Sequence, residues 1–265
     1  MSQAPEQHHH PVFTDPDLAG RSALVTGGGT GIGRAVAHAL ASRGADVWIT
    51  GRRTGPLERA AAEATPGRIR CCVVDASDSE ETAVLARRIE EERGALHILV
   101  NNAAILGPTG PLSATCLATV RTVWDINIHG LYATTALMLP LLREGARRSD
   151  GSPGPAANVI NLSSGVGRQG RAGWGPYAAS KFAVEGLSQC WAEEFASDGI
   201  AVNALNPGAT ATVMRAEAKP DEDPATLPCP EDLVPAFLYL LSKEAHERRV
   251  SGASIDARDF FTGRD

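Results

Sequence analysis

Two rhythms of apolar positions alternate along this chain. Short runs in which nearly every residue is apolar are followed by longer stretches with apolar residues at helical spacing. "SALVT" (22–26) is the first run, and "GIGRAVAHALASRG" follows with Ile32, Val36 and Leu40 on one helix face and Gly44 as its stop. The pair recurs as strand "DVWIT" (46–50) with helix "LERAAAEA", then strand "IRCCVV" (69–74) with helix "DSEETAVLARRIEEER". "LHILVN" (96–101) is a strand, and one long helix is predicted over about 114–144. Strand "NVINLS" (158–163), helix 177–198, strand "IAVNALN" (200–206), helix "EDLVPAFLYLLS" and strand "ASIDA" complete the series. Strands apolar on both faces belong to a parallel sheet covered on each side. The expected fold is α/β: a Rossmann-type doubly wound parallel sheet of about seven strands with helices on both faces.

Composition adds boundaries. The chain has 265 residues, 43% hydrophobic and 21% charged, with a net charge of −6. That suits one large domain, expected over 20–265 behind a flexible tail at 1–19. The charged, Pro-rich stretch "MRAEAKPDEDPATLPCPED" (214–232) reads as a loop-like insertion, and a substrate loop is expected at about 213–230. The acidic balance points away from nucleic acid, and "LYATTALMLPLL" (131–142) is too short to cross a bilayer. No signal-peptide pattern opens the chain, so a cytoplasmic location is expected. The five cysteines show no CxxC spacing and are read as free thiols. His8–His10 lie in a Pro- and Gln-rich tail and are read as surface, so no metal site is expected.

Candidate chemistry begins at "VTGGGTGIG". Gly27, Gly31 and Gly33 sit between the first strand and the first helix, where glycines make a tight turn and the helix N-terminus faces a pyrophosphate. A dinucleotide site that prefers NAD places an acid at the end of the second strand. Here the run is "ITGRR": Gly51 stands at that place, and Arg52 and Arg53 follow. A guanidinium grips a 2′-phosphate by charge-assisted hydrogen bonds, so NADP(H) is favoured, with Arg52 the better candidate and NAD(H) as the alternative.

A second constellation lies in "NLSSGVGRQGRAGWGPYAASK". Ser164 precedes Tyr177 by thirteen positions, and Lys181 follows it by four, which stacks phenol and ammonium on one helix face. A nearby ammonium is expected to lower the phenol pKa and suit it to acid–base work. Ser164 can donate a hydrogen bond to a developing oxyanion. Asn127 in "DINIHG" is a poor helix former inside a helical stretch. His129 is read as an ordinary core or interface histidine. Gln169, Arg171 and Trp174 either touch substrate or pack their loop.

These motifs together resemble the short-chain dehydrogenase/reductase family, single-domain type, from about residue 20 to 257. TGxxxGxG is met by Thr26, Gly27, Gly31 and Gly33, YxxxK by Tyr177 and Lys181, and the NNAG turn by Asn101, Asn102, Ala103 and Ala104. "SSGVGRQGRAGWGPYAASKFAVEG" and "PGATATVMRAEA" look closest to YciK-like bacterial oxidoreductases. The resemblance implies a catalytic set of Asn127, Ser164, Tyr177 and Lys181. It assigns Asp75 to adenine, Lys181 to the nicotinamide ribose, and to Asn127 a water linking Lys181 to solvent. The implied cofactor surface runs through Gly27, Gly29, Thr30, Gly31, Ile32 and Gly33, then Arg52, Arg53, Asp75 and Ala76. It continues through Asn102, Ala103 and Ala104 to Tyr177, Lys181, Pro207, Gly208, Ala209 and Thr212. A homodimer or homotetramer acting on a small carbonyl or alcohol is implied, with no nucleic-acid or membrane partner.

Two departures stand out. Ala104 replaces the last glycine of the NNAG turn and needs a negative φ. The family's C-terminal "DGG", near its subunit contacts, is "DAR" here, Asp256 to Arg258. The leading expectation is an NADP(H)-dependent oxidoreductase interconverting a ketone or aldehyde and an alcohol. An NAD-dependent alcohol dehydrogenase of the same fold and a non-catalytic NADP(H)-binding sensor or scaffold are the alternatives. The last usually loses the tyrosine or lysine, and both are present here. A sugar-nucleotide epimerase would want GxxGxxG and a longer C-terminal substrate region.

Overall fold

The computed structural model describes residues 13–65, 67–147 and 157–261; the His8–His10 triplet lies outside them. Seven strands form one sheet: β1 Ser22–Thr26, β2 Asp46–Gly51, β3 Ile69–Val73, β4 Ile98–Asn101, β5 Ala157–Leu162, β6 Ile200–Asn206 and β7 Ser254–Asp256. Their order is β3-β2-β1-β4-β5-β6-β7 and every pairing is parallel. Helices α1 Gly31–Ser42, α2 Thr54–Ala62 and α3 Ser79–Arg93 follow the first three strands. α4 Leu117–Trp124, α5 Leu131–Gly145 and α6 Gly175–Glu194 come next, then the shorter α7 Val213–Ala218, α8 Val234–Leu240 and α9 Lys243–Glu247.

The double-sided apolar strands do what the pattern predicts. In β1, Ala23 and Val25 join one core with Val36, Leu40, Leu57 and Phe237, while Leu24 between them joins the other with Ile89, Met138 and Val184. Successive side chains point to opposite faces, so both faces of the sheet must be covered. Each α-helix layer therefore has a strand face to bury against, and the loops are left at the sheet's C-terminal edge, where open α/β sheets place their ligands.

The structure corrects three readings. The single long helix over 114–144 is broken: α4 and α5 are joined by a π-helical turn, Asp125–Gly130, that holds Asn127. Such turns have no apolar-period signature and recur at functional sites. Gly130 ends the turn where a Cβ would run into the Ala76 carbonyl oxygen, so the turn is pressed against the loop after β3. The segment 213–230 is not all loop, because Thr212 accepts a hydrogen bond from the Arg215 amide and caps α7. Of the two readings of His129, core or interface, the core one falls: its ring is exposed and lies 3.3 Å from Asp125. Ala104 meets its condition, since Arg249 alone among the described non-glycine residues has a positive φ. The five cysteines are free, as expected.

Candidate active site

The strand order reverses between β1 and β4, and the loops leaving these strands are stitched together there. Thr26 Oγ1 accepts hydrogen bonds from the amides of Asn102 and Ala103, both at 3.0 Å. Asn102 Nδ2 donates to the carbonyls of Thr26 at 2.8 Å and Gly27 at 3.2 Å. The glycines of the turn are required by this packing. Gly27 has φ +65, and a Cβ there would lie 2.9 Å from Asn102 Nδ2 and 3.1 Å from Ala103 Cα. A Cβ on Gly33 would collide with the Gly27 carbonyl. Gly33 thus packs the turn from beneath, while Gly27, Gly29, Thr30, Gly31 and Ile32 line the cleft above it.

That cleft has a volume of about 330 Å³. The α1 N-terminus opens into it with no side-chain cap and no acid in its first turn, which leaves its amides and dipole to an anion. Arg52, Arg53, Asp75 and Ala76 form one end; Asn102, Ala103 and Ala104 line the middle; Tyr177, Lys181, Pro207 and Thr212 close the other. Neither Arg52 nor Arg53 is exposed to a hydrogen-bonding carboxylate among the described residues. Hydrogen bonds from the Ser77 amide and hydroxyl, with the Arg52 charge nearby, hold the Asp75 carboxyl below its usual range despite its partial burial. The residues present fit a dinucleotide: a backbone cradle at its pyrophosphate, a carboxylate and two guanidiniums at one end, a phenol and an ammonium at the other. Gly208 and Ala209, expected on this surface, instead line a second, larger cavity beyond Ser164.

Tyr177 and Lys181 are carried on the first turns of α6, with Pro176 near its start. Tyr177 is buried and its hydroxyl hydrogen-bonds to Ser164, which lies in extended backbone just after β5. Lys181 is buried too; its Nζ donates to the Leu162 carbonyl at 2.6 Å and sits 5.6 Å from the Tyr177 ring centroid. So the spacing of thirteen and four does bring hydroxyl, phenol and ammonium together. The expected depression of the phenol pKa is not met in the protein alone. Burial pushes Tyr177 up to about 12, against a smaller opposing pull from the Ser164 hydrogen bond. Burial likewise lowers Lys181 to about 8, with Glu185 pulling it back up. The ammonium donates to a backbone carbonyl and lies near the ring, and burial of each charged form dominates both shifts.

Asn127 is tied down as a positioning residue. Its Oδ1 accepts from the Ile105 amide at 2.9 Å, and its Nδ2 donates to the Ile105 carbonyl at 2.9 Å and to Ser180 Oγ at 3.1 Å. It therefore clamps the loop after β4 to α6, one residue from Lys181. Two residues that the motifs did not single out complete the frame. Buried Glu185 accepts from Ser163 Oγ at 2.5 Å and Arg168 Nε at 3.2 Å, and Arg168 Nη1 pairs with Asp256 at 2.6 Å. This bracket fixes the loop carrying Ser164 against β7. Glu185 follows Lys181 by one helical turn, the same i,i+4 signal that paired Tyr177 with Lys181, so the spacing could have found it.

Gln169, Arg171 and Trp174 line the larger cavity, which measures about 1440 Å³. Trp174 also packs edge-on against Tyr177, with ring centroids 6.2 Å apart. Among the described residues no cluster of His, Cys, Asp and Glu could hold a metal, and no helix is long and apolar enough to cross a membrane.

Comparison with known proteins agrees with this geometry. The family model for short chain dehydrogenases matches residues 21–223. The uncharacterized oxidoreductase YciK of Escherichia coli K12 is 38% identical over 246 residues, covering 91% of this chain and 93% of that protein. The 3-oxoacyl-[acyl-carrier-protein] reductase FabG of Thermotoga maritima is 30% identical over 244 residues, 86% of this chain and 93% of its own. A Shigella flexneri short chain dehydrogenase solved with NADP superposes with a TM-score of 0.84 at 38% identity, covering 92% of this chain and 100% of that one. An Escherichia coli short chain dehydrogenase solved with NADPH gives 0.84 at 37%, covering 92% and 99%. Fold, motif order and similarity along nearly the whole chain agree: this protein belongs to the short-chain dehydrogenase/reductase family of oxidoreductases.

Proposed function

We propose that the protein interconverts a ketone or aldehyde and an alcohol with NADP(H), and that Tyr177 is the acid in reduction and the base in oxidation. The observation that carries this reading is the placement of Tyr177 and Ser164. Tyr177 lines the narrow cleft, Ser164 lines the large cavity, and their hydroxyls are bonded to each other at the boundary. A carbonyl oxygen that enters this boundary replaces the mutual bond and takes both O–H donors. The nicotinamide, when bound, supplies or accepts the hydride. Ser164 stabilises charge as it develops on the substrate oxygen, and Tyr177 delivers the proton. Lys181 spends one N–H on Leu162, which leaves two for ribose hydroxyls. At Asn127 both Nδ2 hydrogens are spent, while Oδ1 accepts one bond and keeps a lone pair for the expected water.

NADP(H) is favoured over NAD(H) by Gly51, Arg52 and Arg53 at the end of β2, and by the NADP and NADPH complexes of the similar structures. A homodimer or homotetramer belongs to the same reading, supported by the exposed apolar side chains of Leu117, Tyr132 and Phe182 on α4, α5 and α6. Titration of the protein with NADPH and NADH, followed by nicotinamide fluorescence, should give tight NADPH and weak NADH. The holoprotein should then oxidise NADPH in the presence of simple ketones. The reverse preference would move the reading to an NAD-linked alcohol dehydrogenase. Binding without turnover across a broad carbonyl panel would favour the sensor or scaffold.

The lysine sets a pH dependence. A group whose pKa lies near 8 is an ammonium below that pH and loses its charge above it. The parameter kcat/KM for NADPH, which reports the free enzyme, should therefore be level from pH 6 to about 7.5 and fall through a limb near 8. Lys181→Arg, which stays charged, should move that limb upward. A wild-type profile level beyond pH 9.5 would count against Lys181 as the ribose-holding cation.

A further inference from the structure

The large cavity beyond Ser164 is lined by charged side chains of both signs. Three arginines and four acids line its wall: Arg171, Arg215 and Arg258 against Glu231, Asp232, Asp256 and Asp259. Most of these already have a hydrogen-bond or ion-pair partner. Arg215 makes two hydrogen bonds to Glu222, at 2.5 and 2.6 Å. Asp256 is held by Arg168 at 2.6 Å and by Asn206 Nδ2 at 2.5 Å. Asp232 accepts from the Cys229 amide at 2.8 Å, Glu231 is hydrogen-bonded with the Cys229 side chain, and Asp259 has a partner of its own. Arg171 and Arg258 have no side-chain hydrogen bond or ion pair among the described residues.

The positions of these two arginines give them a common target. Arg171 lies in the loop between Ser164 and Tyr177, fixed by the Trp174 amide donating to its carbonyl. Arg258 comes from the opposite end of the chain, just after β7, and its guanidinium packs against the loop after β6. Its Nε is 3.0 Å from where a Cβ on Gly208 would stand. Two segments far apart in sequence thus present uncommitted guanidiniums to one cavity that also holds the Ser164 hydroxyl. With about 1440 Å³, this space exceeds the roughly 300–1,000 Å³ of ordinary small-molecule sites. A small neutral ketone would fill little of it and would leave both cations to water.

We propose that Arg171 and Arg258 bind an oxyanion group, a carboxylate or a phosphate, at the far end of an extended carbonyl substrate whose oxygen is addressed by Ser164 and Tyr177. Guanidiniums recognise both groups through paired N–H donors, so the class is set by the anion and by its separation from the carbonyl. The assignment rests on the carbonyl-reductase reading and makes Arg258, at the place where the family has glycine, a specificity determinant of this chain.

The test compares three probes of one length on the full chain with NADPH: 7-oxooctanoate, 7-oxooctyl phosphate and methyl 7-oxooctanoate. The kcat/KM of an anion should exceed that of the ester by about tenfold or more, the scale of a charge-assisted hydrogen bond. The preferred anion tells carboxylate from phosphate. In Arg258→Gln and Arg171→Gln the anion-to-ester ratio should collapse toward one, whatever the absolute rates. An ester equal to or better than both anions, or a preference that survives both substitutions, overturns the proposal. If no probe is turned over, the reductase reading fails separately, and calorimetry of the protein–NADPH complex with 7-oxooctanoate and with 7-oxooctyl phosphate decides this one. Heat that is lost in Arg258→Gln supports the anion site, and no heat with wild type overturns it.

Discussion

Replacing Tyr177 by phenylalanine should lower kcat for carbonyl reduction by about 10³-fold or more while NADPH binding stays within a few-fold, the range set by losing a positioned general acid. The ring is buried against Trp174 and the Lys181 ammonium, so removing one oxygen leaves the packing intact. What disappears is the O–H that Ser164 holds at the boundary of the two cavities. With a pKa near 12 in the protein alone, the phenol is fully protonated at neutral pH and ready as an acid. For oxidation the same value is a handicap, and the positive charge of the oxidised cofactor must help the phenolate form. Near pH 7 the free enzyme thus already holds the proton that reduction consumes. Ser164→Ala should cost less, about 10²–10³-fold, as the loss of one oxyanion donor does. Stopped-flow single turnover, with NADPH affinity measured alongside, separates the two effects. A Tyr177→Phe enzyme that turns over normally would remove Tyr177 from the chemistry.

How far these residues were legible in sequence depends on how local their signal is. The seven strands could be read because a strand buried on both faces must be apolar at nearly every position, and "SALVT" and "IAVNALN" match β1 and β6 residue for residue. Tyr177 and Lys181 were legible because an i,i+4 spacing survives folding. The π-helical turn around Asn127 was not, since inserting one residue into a turn hardly disturbs an apolar period. Nor was the balance of pKa values at Tyr177, because desolvation depends on what closes over the phenol from α6, α7 and the loops. Arg258 could be seen as a departure from the family's glycine. Only the fold, which brings the residues after β7 beside the loop after β6, reveals which cavity it faces.

The second large effect concerns the end of β2. Arg52→Ala should weaken NADPH by about 10- to 100-fold, the 1.5–3 kcal/mol of a hydrogen bond to a charged group, and change NADH by less than about threefold. Arg52 and Arg53 stand at the cleft end that also holds Asp75, and Arg52 is close enough to influence that carboxylate. A guanidinium with no hydrogen-bonded carboxylate of its own is free to take a phosphate. The NADPH affinity of wild type should also fall with added salt more steeply than that of the variant. The converse change tests the same logic from the other side. Gly51 is the position where an acid would meet ribose hydroxyls. It does not need glycine's freedom: its φ is not positive, and a Cβ there would meet Leu57 at an ordinary 3.6 Å. Gly51→Asp combined with Arg52→Ala should therefore fold normally and invert the preference toward NADH. An unchanged NADPH preference in that double variant would place the phosphate contact on Arg53 or elsewhere along the cleft. Inversion would mean that two adjacent side chains at one strand end decide the cofactor, while the cradle of Gly27, Gly31 and Gly33 accepts either dinucleotide.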